Sequence, residues 1–190
     1  LLVAKRQPAA SDLRLVLSIS KGVVDLERIG DEAVKIARMA SKIAAVGKSA
    51  YGYAEVQHLS NQVRLMLNNS LEAFSQSNAE QAFEVMRNDS VVNSEYQSAI
   101  RALMTYIMED SRHVSKVINI MWILRSLERI GDHAQNVAEL VINYVSGQDV
   151  RHSDYAMVEK AVQEANDRLA ARQVSTLSAN ELETSDSDEG

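Results

Sequence analysis

The sequence predicts an all-α protein made of two related helical units, the second a complete three-helix bundle and the first an incomplete copy of it. One Pro and seven Gly in 190 residues are too few for the frequent turns of a β-sandwich or barrel. Apolar residues recur three and four positions apart over long stretches, as they do in helices that pack side by side. A block of six residues also occurs twice, 101 positions apart, which indicates an internal duplication.

The helices are expected to be long and joined by short connections. Their periodicity places them at about 1–6, 11–46, 53–76, 79–109, 113–146 and 153–172. Capping signals favour these limits, with Ser11 and Asn78 as N-caps and Gly47 and Gly147 as C-terminal stops. The predicted organisation is a partial first bundle at 1–50, a second bundle at 53–147, a C-terminal helix at 148–172 and a disordered acidic tail at 173–190.

The duplicated block is Leu26–Asp31, which recurs letter for letter as Leu127–Asp132. Both flanking helices carry the same apolar stripe: Val117, Ile120, Leu124, Leu127, Gly131, Ala134, Ala138, Val141 and Val145 in the second copy, and Val16, Ile19, Val23, Leu26, Gly30, Ala33, Ala37, Ala40 and Ala44 in the first. Because Gly costs a helix about 1 kcal/mol, the Gly within each stripe indicates a close approach by a neighbouring helix.

The position of the duplication indicates that the first unit lacks its beginning. The second unit starts near residue 53, so the offset of 101 places the start of the first unit roughly fifty residues before Leu1. A first residue other than Met agrees with an N-terminal truncation. The stripe of the first unit would then lack partner helices, and we expect it to be exposed and to pair with another copy in a homodimer, or with the helix at 153–172.

Composition and motifs exclude most functional classes. Without Cys there are no disulfides, thiolate metal sites or cysteine nucleophiles, and no nucleotide-binding, hydrolase or diiron-oxidase motif is present. The net charge is -6, but five of the 26 acidic residues lie in 181–190, so the body of the chain is nearly neutral. The sequence therefore predicts a protein that is not an enzyme and offers no basic surface for nucleic acid.

Two acidic pairs inside the duplicated block are the first candidates for chemistry. Glu128 and Asp132 lie four residues apart on one helix face, and Glu27 and Asp31 repeat the arrangement. Like charges at this spacing mildly destabilise a helix unless a cation lies between them. A solvated acidic face is the alternative, because acidic pairs at this spacing also occur by chance.

The helix before the second pair carries further oxygen side chains. If 79–109 folds back at a turn near 111, Asp89 and Asn93 reach the height of Glu128 and Asp132. Four oxygen ligands suit a hard cation, or a carboxylate-rich iron or manganese site, better than structural zinc. A plain polar seam between the helices remains the alternative. His133 points about 100° away from Asp132 around the helix and is expected on the surface.

Longer segments around the duplicated block carry a family resemblance. They are RQPAASDLRLVLSISK at 6–21, DLERIGDEAVKIARMA at 25–40 and LERIGDHAQNVAE at 127–139. With these segments the chain, over about 1–147, resembles the PhoU family of bacterial phosphate-signalling proteins. The resemblance implies tandem three-helix bundles and metal ions (iron, zinc, manganese or magnesium) at two E(D)xxxD motifs, which here are Glu27/Asp31 and Glu128/Asp132. Asp89 matches an acidic position of the family, and Asn93 stands where Asp is common.

The resemblance also implies a function. Members of the family are cytoplasmic negative regulators of the phosphate regulon, and they link the ATPase subunit of a phosphate-specific ABC transporter to a sensor histidine kinase. We therefore expect a non-enzymatic, metal-binding adaptor that reaches the membrane only through these partners. The alternatives are a metal-storage or metal-dependent hydrolytic helical protein, and a helical scaffold whose acids only keep it soluble.

Overall fold

The computed structural model describes residues 10–45, 52–151 and 153–185, and most of them are helical. The helices are α1 (Ala10–Ala45), α2 (Tyr53–Gln76), α3 (Ala79–Glu109), α4 (Val114–Ser146) and α5 (Tyr155–Ser185), with a 3₁₀ turn at Ser111–His113 between α3 and α4. These ranges contain no β-strand, so the predicted all-α class is confirmed. Within the same ranges, no helix combines the length and the hydropathy that crossing a bilayer requires.

Local signals account for several of the helix ends. Asn78 caps α3 by accepting a hydrogen bond from the backbone N–H of Gln81 at 3.0 Å. Gly147 ends α4 with a φ of 80°, a left-handed conformation that favours Gly. Both predictions are confirmed. The N-cap expected at Ser11 is wrong, because α1 already includes Ala10, and Ala is the strongest helix former. The predicted helix at 1–6 and the stop at Gly47 lie outside the described residues.

α4 is the central helix, in contact with α1, α2, α3 and α5. Its apolar stripe is buried from Val117 to Val141 against α2 and α3, which run alongside it. The side chains of α2 and α3 that close over it include Leu59, Val63, Met66, Val92 and Leu103. Each fully buried Leu, Ile, Val or Met contributes about 1.5–3 kcal/mol, so this contact stabilises the three-helix unit.

α1 packs mainly against α4, and it uses a different face from the apolar stripe that the duplication singles out. Val16, Ile19, Val23 and Leu26 of that stripe are between 42% and 60% exposed, which confirms the expected exposure. The face of α1 that is buried or half-buried is instead a mixed one: Arg14, Ser18, Gly22, Asp25, Ile29, Glu32, Ile36, Met39 and Ile43.

The two helices of the duplication face each other and run in opposite directions. Asp25 of α1 lies 2.9 Å from His133 of α4, and Glu32 of α1 accepts a hydrogen bond from Ser126. The repeat offset of 101 relates these two pairs. Asp25 corresponds to Ser126 in the other copy, and Glu32 corresponds to His133, so both contacts join the same two positions of the repeat. α1 and α4 are therefore related by an approximate two-fold axis that passes through their contact.

The C-terminal helix is longer than the sequence predicts. α5 continues to Ser185, so the disordered acidic tail expected at 173–190 is wrong for 173–185, where Ala, Leu, Gln and Glu favour a helix. Residues 186–190 lie outside the described residues. α5 packs on α3 and α4, and its buried side chains are Val158, Ala161, Val162 and Ala165.

Candidate metal site on the second bundle

The acidic pair of the second repeat copy lies on α4, one helical turn apart, where α4 packs against α3. Val92 of α3 closely approaches Gly131 of α4, since a methyl group at Gly131 would lie 3.3 Å from it. This contact fixes the register of α3 against α4, that is, which residues of the two helices lie side by side. Asp89 of α3, one turn before Val92, therefore lies level with Asp132, as the predicted turn near 111 requires.

The carboxyl groups of Asp89, Glu128 and Asp132 all have pKa values raised above the ordinary value of the free side chain. Burial is the main cause for Asp89, and the charge of Asp132 adds to it. Burial again dominates the raised pKa of Glu128, followed by the charge of Asp132, with a smaller contribution from Asp89. Burial also raises the pKa of Asp132, against the charges of Arg125 and Arg129. The three acids form one electrostatic unit, which a bound cation would stabilise.

Neighbouring side chains satisfy only part of this unit. Asn93 donates from Nδ2 to Asp89 at 2.8 Å, and Gln135, with its amide nitrogen turned towards Asp89, donates to both carboxylate oxygens at 3.1 Å. Arg125 donates to Oε1 of Glu128 at 2.7 Å. The other oxygen, Oε2 of Glu128, is buried without a hydrogen-bond partner, and such an atom costs about 1–3 kcal/mol.

The residues present suit a hard cation. Carboxylate and amide oxygens are ligands of magnesium, manganese and carboxylate-rich iron sites, and a cation would satisfy the unpaired oxygen of Glu128. In the part of the chain that the structure describes, no three His, Asp or Glu side chains are grouped closely enough to hold one ion as they are placed. Metal binding therefore stays a prediction, and it requires side-chain rotations that draw the three carboxylates together.

The acidic pair of the first repeat copy does not join this site. Glu27 and Asp31 are exposed on α1, which packs mainly on α4. Among the described residues, no helix places a further pair of oxygen side chains opposite them in the way that α3 does for Glu128 and Asp132. The first metal motif also stays a prediction.

Two residues of the site were not singled out from the sequence. Arg125 lies three residues before Glu128, binds it, and places its guanidinium 5.9 Å from the centre of the Tyr96 ring. Gln135 lies three residues after Asp132 and contacts Asp89. The spacing of three between Arg125 and Glu128 could have indicated the first contact, whereas Gln135 contacts an acid of another helix and no local spacing signals it.

The expectation for His133 is wrong. This side chain is buried, and its Nδ1 lies 2.9 Å from Oδ1 of Asp25, which also accepts a hydrogen bond from Asn136 at 3.1 Å. Asp25 lies 108 residues earlier in the chain. Because the partner comes from the other repeat copy, no residue close to His133 in the sequence signals its burial.

Comparison with known proteins identifies the family. Residues 1–40 and 56–141 match the family described as the PhoU domain. The phosphate-specific transport system accessory protein PhoU homolog of Pseudomonas aeruginosa is 54% identical over 162 residues, which are 85% of this chain and 67% of that protein. The accessory protein PhoU of Escherichia coli is 44% identical over 151 residues, which are 80% of this chain and 62% of that protein. The chain spans about two thirds of the length of these curated relatives.

Solved structures agree with the sequence matches. The crystal structure of PhoU from Pseudomonas aeruginosa superposes with a TM-score of 0.75 at 56% identity, covering 77% of this chain and 70% of that one. The phosphate transport system regulatory protein PhoU from Streptococcus pneumoniae gives a TM-score of 0.68 at 25% identity, covering 75% and 67%. On the family match, the curated relatives and the shared fold together, this chain belongs to the PhoU domain family.

Proposed function

We propose that this chain is a phosphate-transport accessory protein, an adaptor that links the state of a phosphate-specific ABC transporter to a sensor histidine kinase. The names of the relatives support the first part, since the Pseudomonas aeruginosa and Escherichia coli proteins are called phosphate-specific transport system accessory proteins. The resemblance of the sequence supports the second part and a negative effect on the phosphate regulon. In this proposal the adaptor is cytoplasmic and dimeric, has no catalytic activity, and reaches the membrane only through the transporter ATPase subunit and the kinase.

The observation that carries the metal-binding part of the proposal is the unpaired, buried Oε2 atom of Glu128 within a set of mutually repelling carboxylates. Asp89 of α3 and Glu128 and Asp132 of α4 would hold the ion. Without a metal ion, these buried acids are stabilised by protons and by neighbouring side chains. A divalent or ferric ion would supply positive charge that stabilises them instead.

The position of the site suits an adaptor because it borders the contact between the two repeat copies. Arg129, the residue after Glu128, donates to Glu32 of α1 at 3.2 Å. α4 therefore presents the acidic site on the side that faces α3, and the polar contact between Arg129 and Glu32 on the side that faces α1. An adaptor must bind its partners with different affinities in two states, and loading of this site would distinguish two such states.

The test compares the wild-type chain with the double variant Glu128→Gln/Asp132→Asn. Elemental analysis after purification without chelator should find metal bound to the wild type and none bound to the double variant at this site. Pull-downs with the purified transporter ATPase subunit and the cytoplasmic part of the kinase should retain partner, and the amount should fall when metal is removed. Glu80→Gln/Glu84→Gln is the matched control, because it removes an acidic pair of the same spacing from α3 outside the duplicated block.

Other outcomes would replace the proposal. Turnover of a phosphate monoester that depends on metal, with no partner retained, would identify a hydrolytic protein. Uptake of many ions per chain would identify a storage protein. A chain that binds neither metal nor partner would be a scaffold whose acids serve solubility.

A further inference from the structure

Arg125 is a cation that already lies at the proposed metal site. Its Nη1 donates to Oε1 of Glu128 at 2.7 Å, while Oε2 of the same carboxylate has no partner. Its charge opposes the burial that raises the pKa values of Glu128 and Asp132. The guanidinium therefore partly fills the electrostatic role that a bound metal ion would have.

Arg125 contacts an aromatic ring at the same time. Its guanidinium carbon lies 5.9 Å from the centre of the Tyr96 ring on α3, and an aromatic face attracts an arginine. About half of the Arg125 side chain is exposed, so burial does not hold the guanidinium on Glu128.

The first repeat copy lacks this arrangement. The residue that corresponds to Arg125 after the offset of 101 is Val24, although the block that begins two residues later is identical in the two copies. The repeated motif is thus present twice, but only its second copy has an arginine one turn before the glutamate. The arginine lies outside the block that the two copies share.

We propose that Arg125 is a built-in competitor for Glu128, because the guanidinium on Oε1 opposes the binding of a metal ion at the unpaired Oε2 of the same carboxylate. This inference rests on the proposed metal site and adds its regulation. The arginine keeps Glu128 paired while the site is empty and weakens metal affinity, which makes loading sensitive to the metal concentration. Because the second motif alone has the competitor, the two motifs would load at different concentrations.

The test measures Mn²⁺ binding to the complete, metal-stripped chain by equilibrium dialysis at low ionic strength. Arg125→Gln should bind Mn²⁺ about three- to tenfold more tightly than the wild type, as expected for removing one half-exposed positive charge. Arg125→Lys keeps the charge and should stay within about twofold of the wild type. Arg112→Gln is the matched control, because Arg112 also pairs with a carboxylate, Asp110, at the α3–α4 turn remote from the site, and its loss should leave the affinity unchanged.

The outcomes separate this inference from the proposed function. Wild-type binding with an unchanged affinity in Arg125→Gln would overturn the inference and leave the metal site intact. Binding by Arg125→Gln but not by the wild type would support competition in its strongest form. Absence of binding in both, with helicity retained in circular dichroism, would overturn the metal site and the inference together.

Discussion

At the scale of single residues, the contact between α1 and α4 depends on Asp25. Its Oδ1 atom accepts from Asn136 and lies within hydrogen-bonding distance of Nδ1 of His133, and both Asp25 and His133 are buried. A buried donor that loses its acceptor keeps the full cost of desolvation. Asp25 is therefore structural, in contrast to Glu27 two residues later, which is exposed.

Asp25→Ala should lower the free energy of unfolding by about 1–3 kcal/mol, because it leaves the Asn136 amide and the His133 ring without their acceptor. Glu27→Ala removes an exposed acid from the same helix and should change the free energy of unfolding by less than about 0.5 kcal/mol. Urea unfolding followed by circular dichroism, with EDTA present, measures both. Equal effects of the two substitutions would show that the buried contact adds nothing.

At the scale of helices, the duplicated glycines provide a matched comparison. A methyl group at Gly131 would lie 3.3 Å from Val92 and 3.9 Å from both Met66 and Val63, whereas one at Gly30 would meet no atom within 4 Å. The close approach predicted from the stripe is therefore present at Gly131, where α2 and α3 cover α4. It is absent at Gly30, where the stripe of α1 is exposed.

Gly30→Ala should raise the free energy of unfolding by about 0.5–1 kcal/mol, because Ala is the better helix former and the space is open. Gly131→Ala should give a smaller gain or a loss, because Val92 must move to admit the methyl group and crowding in a core costs about 1–3 kcal/mol. Thermal unfolding of the two variants beside the wild type measures the difference. The same increase in stability in both variants would show that the Val92 side chain moves aside at no cost.

The start of α3 and the end of α4 could be predicted because they depend on local residues, Asn78 and Gly147. The face that α1 turns to α4 could not. Apolar spacing singles out the Val16 to Ala44 stripe, whereas the buried face contains Asp25 and Glu32, which resemble exposed positions in a single sequence. Their partners are supplied by the other repeat copy, more than ninety residues away, so no local pattern reveals them.

At the scale of the whole molecule, the acidic site affects how stability depends on pH. Asp89, Glu128 and Asp132 hold protons more tightly in the folded chain than in the unfolded one, because their pKa values are raised. Their charging therefore destabilises the fold above the raised pKa values, and this penalty is relieved as the pH falls towards the ordinary carboxyl value of about 4. Glu32 acts in the opposite direction. Its burial would raise its pKa, but the hydrogen bonds of Lys35 and Ser126, with the charge of Arg129, lower it overall.

Glu128→Gln/Asp132→Asn should therefore be more stable than the wild type at pH 7.5 in metal-free buffer, and this advantage should vanish as the pH falls to about 4. The contribution of Glu32 is common to both proteins and cancels in the comparison. Urea unfolding at a series of pH values, with EDTA throughout, gives the two curves. If the difference in the free energy of unfolding between the two proteins does not change with pH, the two acids are as well solvated in the folded chain as in the unfolded one.

The site itself was predictable in part. The turn near 111 and the spacing of four were enough to bring Asp89 level with Asp132. The placement of the side chains was not, since Arg125 takes one oxygen of Glu128 and Asn93 and Gln135 contact Asp89. These contacts depend on rotamers and on which competitor reaches each oxygen, and helical spacing does not determine either.

The approximate two-fold axis between α1 and α4 also shows what a pair of like helices would bring together. In a pair of two α1 helices, the offset of 101 would place Glu32 opposite Asp25, with Arg28 at the position of Arg129 and Lys35 at the position of Asn136. Each acid would then face a second acid and also a basic residue of the other helix. In the mixed pair Asp25 instead meets the ring of His133 and the amide of Asn136, with no second acid opposite it. The two halves of the duplication have therefore become different at the positions where they face each other, while the arginine of the repeated block is the same in both.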